Sequence, residues 1–174
     1  MTPFALLQDL AERLKLNATA LPAETLNQAY WRSVGFMLKG QRLLADSGEV
    51  TEILQPPKLT KVPGVRNWVL GVANVRGRLI PIMDLALLLG FSSQGTWRSR
   101  RVLIVEQNEG PVGFLVDTVL GIQQFSLNQR GEKPCFNNNL DPFIEFSFEK
   151  NDEQWPVFKL KELMRTQEFL QIAV

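Results

Sequence analysis

Histidine is absent from this 174-residue chain, and cysteine and tyrosine each occur once. Without histidine there is no Ser-His-Asp or Cys-His nucleophile pair, no imidazole general base, no histidine metal ligand and no histidine phosphocarrier. The lone Cys135 cannot form an internal disulfide or a multi-thiolate zinc site, and a single thiol suits a reducing compartment. No run of 18 apolar residues is present, so no helical membrane span is expected. Residues 4–16 are partly apolar, but Asp9 and Glu12 interrupt them and no basic stretch precedes them, unlike a secretory signal. Neither phosphate-cradling glycine motif occurs, and Gly71, Gly77 and Gly90 are too widely spaced to make one. The adjacent carboxylates Asp152 and Glu153 fall in a predicted turn, where they are solvated rather than set for glycoside hydrolysis. The expectation is a protein that is not an enzyme, with no cofactor and no metal.

What is present is an ordinary globular composition, 45% hydrophobic and 21% charged, with room for one domain or two small ones sharing a core. A net charge of +1 argues against bulk nucleic-acid binding. The charge is unevenly spread. Residues 55–101 hold eight basic side chains and one acid, whereas residues 102–174 hold six basic and eleven acidic ones. Either this asymmetry favours head-to-tail docking of like-folded modules, or the fold scatters the charges over opposite faces.

The apolar pattern predicts a helix over residues 3–16, with Thr2 as cap, Pro3 in the first turn and Phe4, Leu7, Leu10 and Leu14 on one face. That stripe packs on its own domain or on a partner. Residues 18–27 read as linker. Strands follow in hairpins: residues 31–38 and 41–45 around Lys39-Gly40, a short strand at 50–54, then 70–75 and 78–83 around Arg76-Gly77. Asp84 caps a helical turn that ends before Gly90, and residues 91–99 form a polar loop. A third hairpin pairs 101–106 with 112–116 across a loop at 107–111. Residues 119–125 are extended and 127–142 are loop. A fourth hairpin pairs 144–149 with 155–159, and a final helix spans 160–172, with Leu160, Leu163, Met164 and Phe169 for one face. Many short strands with regular turns argue for barrels or sandwiches.

The densest unit is residues 62–90. Gly71, Ala73 and Val75 put small residues on one face of a strand, which permits close approach by another backbone. Pro81 within a strand marks an edge or a bulge. Arg76 leads into a turn and can reach a carboxylate, with Glu52 as candidate, or it is an ordinary exposed turn residue.

Residues 74–85 read N-V-R-G-R-L-I-P-I-M-D-L, which resembles the central L-G-V-x-N-L-R-G-x-x-x-P-V-x-D-L motif of CheW-like coupling domains. Further segments match in order: the G-F-M-L-K-G-Q opening at 35–41 (with Arg42 and Leu43 where an aromatic is usual), V-T-E-I at 50–53, the V-P loop at 59–64, and V-G-F-L-V-D-T-V at 112–119. The likeness runs over about residues 31–169. It implies a mainly β fold of two SH3-like five-stranded β-barrels side by side with a C-terminal helix. An N-terminal helical arm (1–28) would precede the CheW-like domain (29–174). It implies a non-enzymatic, cytoplasmic scaffold that couples a chemoreceptor to a CheA-type histidine kinase. The kinase's regulatory domain would dock barrel to barrel, and the methyl-accepting chemoreceptor tip would dock in the groove between barrels. Contact with the membrane would be only indirect, through the receptor array. The partner-binding positions it marks are Val50, Glu52, Gly71, Asn74, Arg76, Gly77, Val116 and Val119. The long arm with N-V-R-G and V-P-G-V resembles the coupling proteins of type IV pilus twitching motility. No receiver, phosphotransfer or ATP-binding region is recognisable, which implies a stand-alone coupler. The alternative is a small nucleic-acid-binding barrel using residues 55–101, where Trp68, Phe91 and Trp97 are the only bulky aromatic platforms.

Overall fold

The computed structural model describes residues 29–174. The expected helix over residues 3–16 and the linker over 18–27 lie outside the described residues. Among the described residues eleven strands form two sheets. The first sheet has the order β8-β1-β2-β11-β10-β9, built from β1 (Tyr30–Leu38), β2 (Gln41–Asp46), β8 (Thr118–Ser126), β9 (Arg130–Gly131), β10 (Ile144–Lys150) and β11 (Glu153–Phe158). The second has the order β3-β6-β7-β5-β4, built from β3 (Val50–Leu54), β4 (Val69–Val75), β5 (Arg78–Asp84), β6 (Arg101–Gln107) and β7 (Gly110–Val116). Among the described residues there are also three short α-helices, α1 (Leu85–Leu88), α2 (Leu160–Met164) and α3 (Gln167–Leu170), and two 3-10 turns at Leu127–Gln129 and Asp141–Phe143.

The hairpins form where the turn chemistry dictates. Lys39-Gly40, Arg76-Gly77 and Asn151-Asp152 each place two consecutive residues at positive φ, between 52° and 80°. That is the I′ geometry whose twist matches the flanking strands. The third hairpin is tighter than the sequence predicts. Gln107 pairs with Gly110 and Glu106 with Pro111, so the connection is two residues, Asn108 and Glu109. Pro81 causes no loss of pairing to β4. It opposes Val72, whose N–H and C=O both bond Thr60 instead (2.9 and 2.8 Å), so this position needs no donor towards β4. Pairing of β5 with β7 begins only at Ile82.

Strand alternation divides the core in three. Val102, Ile104, Leu115, Ile80, Ile82 and Ala73 fill the interior of the five-stranded barrel. Leu44, Phe125, Phe148, Trp155 and Val157 fill the six-stranded one. The opposite faces of the same strands, among them Val34, Phe36, Leu38, Leu43, Leu103, Val105, Phe114 and Val116, meet in a central core between the barrels. Strands β1, β2, β6 and β7 are thus buried on both faces, which explains their near-continuous apolar runs.

The C-terminal helix is broken. Thr166 interrupts it: its hydroxyl donates to the Leu163 carbonyl (2.7 Å) and accepts from the Phe169 N–H (3.3 Å), capping α3. Beyond α3 the chain turns extended. The Ile172 carbonyl accepts from the Arg66 N–H (2.9 Å) and Ala173 bridges to Val65. The four residues expected on the apolar face, Leu160, Leu163, Met164 and Phe169, are all buried.

Candidate partner-binding site

The β4–β5 hairpin ends in a rigid tip. The Asn74 Oδ1 accepts from the Gly77 N–H (2.9 Å), closing the turn, and Arg76 takes the left-handed conformation (φ 52°). From there the Arg76 Nη2 reaches the Glu52 Oε1 on β3 at 2.8 Å. Arg78, on the other side of the tip, bonds Glu106 on β6 at 2.8 Å. Because β3 and β4 are the two edges of the five-stranded sheet, the Arg76–Glu52 pair spans the barrel's closure. Both sequence readings of Arg76 therefore hold at once: it pairs with Glu52 and it is a turn residue with a side chain 80% exposed, against 25% for Glu52. An exposed pair of this kind contributes about 0–1 kcal/mol to stability. Its guanidinium keeps further N–H donors facing solvent, ready for a carboxylate on another molecule.

Gly71 supports this hairpin from behind. It sits at φ 143°, and a Cβ there would lie 2.4 Å from the Thr60 carbonyl oxygen. The small strand face does admit a second backbone: residue 60 crosses it and exchanges two hydrogen bonds with Val72. Of the other expected contact positions, Val50 and Val116 are buried and Val119 is half-buried, all packed in the central core. They shape the barrels and are not surface groups, because alternation turns them inward. The structure brings Glu52, Asn74, Arg76 and Gly77 together at one tip.

A buried ion pair was not legible in the sequence. The Arg100 Nη1 bonds the Asp84 Oδ2 at 2.8 Å, with side chains 6% and 1% exposed. Ser93 donates to the same carboxylate oxygen (2.7 Å), and the Asp84 Oδ1 caps α1 through the Leu87 N–H (3.1 Å). Asp117 stands 3.9 Å from the Arg100 Nη2 and accepts from the Lys39 N–H (2.7 Å), so the cluster touches the β1–β2 turn of the other sheet. Asp84 showed itself only as a helix cap and Arg100 only as one of several basic residues. No local pattern joins positions 16 apart.

The basic segment is partly neutralised. Arg76, Arg78 and Arg100 each pair with a carboxylate, two of these on strands outside it or at its edge. A groove of about 900 Å³ lies between α1 and the C-terminal helices, lined by Arg66, Trp68, Leu89, Asn139, Phe143 and Gln171, away from the tip. Among the described residues no three His, Cys, Asp or Glu side chains are grouped to hold a metal ion, and no helix is long and apolar enough to cross a membrane.

Residues 32–168 match the family model of the CheW-like domain. The chain is 42% identical over 174 residues to the protein PilI of Pseudomonas aeruginosa, covering 99% of this chain and 97% of that one. It is 29% identical over 162 residues to the chemotaxis protein CheW of Helicobacter pylori, covering 91% and 96%. The crystal structure of the scaffolding protein TtCheW from Thermoanaerobacter tengcongensis superposes with a TM-score of 0.70 at 25% identity, over 80% of this chain and 96% of that one. Two sheets sharing a core and these matches agree: the chain belongs to the CheW-like domain family, whose members include chemotaxis and scaffolding proteins.

Proposed function

We propose that this chain is a non-enzymatic cytoplasmic adaptor that couples a methyl-accepting chemoreceptor tip to the regulatory domain of a CheA-type histidine kinase, in a pathway controlling type IV pilus twitching. The observation that carries this reading is the tip built by Glu52, Asn74, Arg76 and Gly77. It presents a guanidinium on a turn locked by its own hydrogen bonds, so little side-chain or backbone ordering remains to be paid on docking. The similarity to PilI over nearly the whole chain supports the pilus pathway. The reading divides the chain into an arm (residues 1–28) and a coupling domain (29–174). The test is reconstitution: the purified chain is mixed with the kinase's regulatory domain and with a cytoplasmic receptor fragment, each labelled. A ternary complex in analytical ultracentrifugation is the expected result, and failure to bind either partner would remove the reading.

A further inference from the structure

The loop at residues 91–99, between α1 and β6, is held at every side. The Gly90 N–H bonds the Leu87 carbonyl (3.0 Å) and the Phe91 N–H bonds the Ala86 carbonyl (2.8 Å), which fixes the chain's exit from α1. Ser93 is tied to the buried Asp84, and the Arg100 Nη1 bonds both Asp84 and Ser93 (2.8 and 2.6 Å). The Ser99 N–H bonds the Thr96 carbonyl (3.0 Å), closing a turn around Trp97 and Arg98. The Lys39 Nζ donates to the Ser92 hydroxyl (3.1 Å), and the Arg101 Nη1 donates to the carbonyls of Arg98 and Arg100 (2.8 and 2.7 Å). Out of this scaffold stands Trp97, 45% exposed, beside Arg98.

Lys39 and Arg101 bond this loop at Ser92 and at Arg98, Arg98 follows Trp97 in the chain, and none of these three cations forms an ion pair among the described residues. Asp84, buried, and Asp117, half-buried, face Arg100 and the Lys39 backbone. An exposed tryptophan and arginine on a rigid support are the residue types that carry most energy in protein interfaces. Three cations outside any ion pair among the described residues set the sign of the partner. A buried charged network underneath is costly to keep if the loop has only to connect two elements.

We propose that the Trp97 loop is a second docking surface, for an acidic protein segment in which an apolar side chain covers the indole and flanking carboxylates meet Arg98 and Lys39. A single aromatic offers no run of stacking platforms for successive bases, which disfavours a nucleic acid. The surface lies at the far end of β5 from the Arg76 tip. Seven strand residues separate them, about 20 Å. One barrel thus presents two separated surfaces, as the adaptor reading on which this inference rests requires.

The test is titration of the full ¹⁵N-labelled chain with a synthetic helical peptide of glutamate and leucine, and with its lysine counterpart. Saturable shifts at residues 39 and 92–101, including the Trp97 indole, are expected with the acidic peptide alone. Trp97→Ala and Arg98→Glu should each weaken it about tenfold. No shift at millimolar peptide, or shifts elsewhere, would overturn the proposal. So would shifts at the same residues produced equally by single-stranded DNA or anionic vesicles, or concentration-dependent shifts from self-association without peptide. None of these readouts needs the kinase or receptor, so this surface can fail while the adaptor reading stands.

Discussion

Replacing Asp84 with alanine removes three things at once. The cap of α1 is lost, because the Leu87 N–H no longer has its 3.1 Å acceptor, which costs about 1 kcal/mol. Arg100, whose side chain is 6% exposed, keeps its charge but loses its 2.8 Å partner, and stranding a buried charge costs about 3–5 kcal/mol. Ser93 also loses the acceptor that pins the 91–99 loop. The sum is about 4–6 kcal/mol, a large part of a stability of about 5–15 kcal/mol, and a fall in Tm of roughly 10–20 °C for a chain of this size. Urea denaturation of the full chain, followed by tryptophan fluorescence, reads the free energy. Asp84→Leu combined with Arg100→Met should recover most of the loss, because an apolar pair of similar volume leaves no stranded charge. A loss below about 1 kcal/mol for Asp84→Ala would refute the reasoning, since that is the range of an exposed pair.

Gly71→Ala should destabilise by about 2–4 kcal/mol in the same assay: the left-handed backbone strains any side chain and the new Cβ meets the Thr60 carbonyl at 2.4 Å, which weakens the two Thr60–Val72 bonds. Burial pushes the Glu49 carboxyl above the usual carboxylate range, against the pull of Lys159 and Lys161. The unfolded chain therefore gives up this proton first, so Glu49 lowers stability as pH rises through the interval just above the ordinary carboxylate value. Glu49→Gln should flatten that part of the stability–pH curve, and an unchanged slope would exclude Glu49 as its source. Deleting residues 1–27 should leave a cooperatively unfolding domain with altered affinity for kinase or receptor. Aggregation of the deletion would make the arm part of the core, and unchanged affinity for both partners would remove its binding role.

The parts of this fold legible in the sequence are those fixed within a few residues. Lys39-Gly40, Arg76-Gly77 and Asn151-Asp152 turn the chain because their residues tolerate positive φ, and Asp84 with Gly90 brackets α1 by capping chemistry. Gly71 was readable as a point of backbone approach, though not that residue 60 approaches it. What was not legible depends on distant partners. Nothing local says that β2 meets β11 in parallel at Leu44 and Val157, or that Val50 and Val116 face the central core. The break at Thr166 was hidden because a threonine is tolerated within a helix. It becomes a cap here because the last residues pair with the 64–66 segment. Arg76 and Glu52 were legible as a candidate pair, from the turn that carries Arg76 and from the motifs that hold both, whereas the pairing of Arg100 with Asp84 was not legible at all.

The Arg76 tip is the point on which the adaptor reading turns, and charge reversal tests it most directly. Arg76→Glu places two carboxylates where an exposed ion pair stood. Its dissociation constant for the kinase's regulatory domain should rise at least about tenfold, equal to about 1.4 kcal/mol, while stability falls by no more than about 1 kcal/mol. Unchanged affinity in a folded variant would contradict the assignment of this tip to the partner, and outright unfolding would make the pair structural.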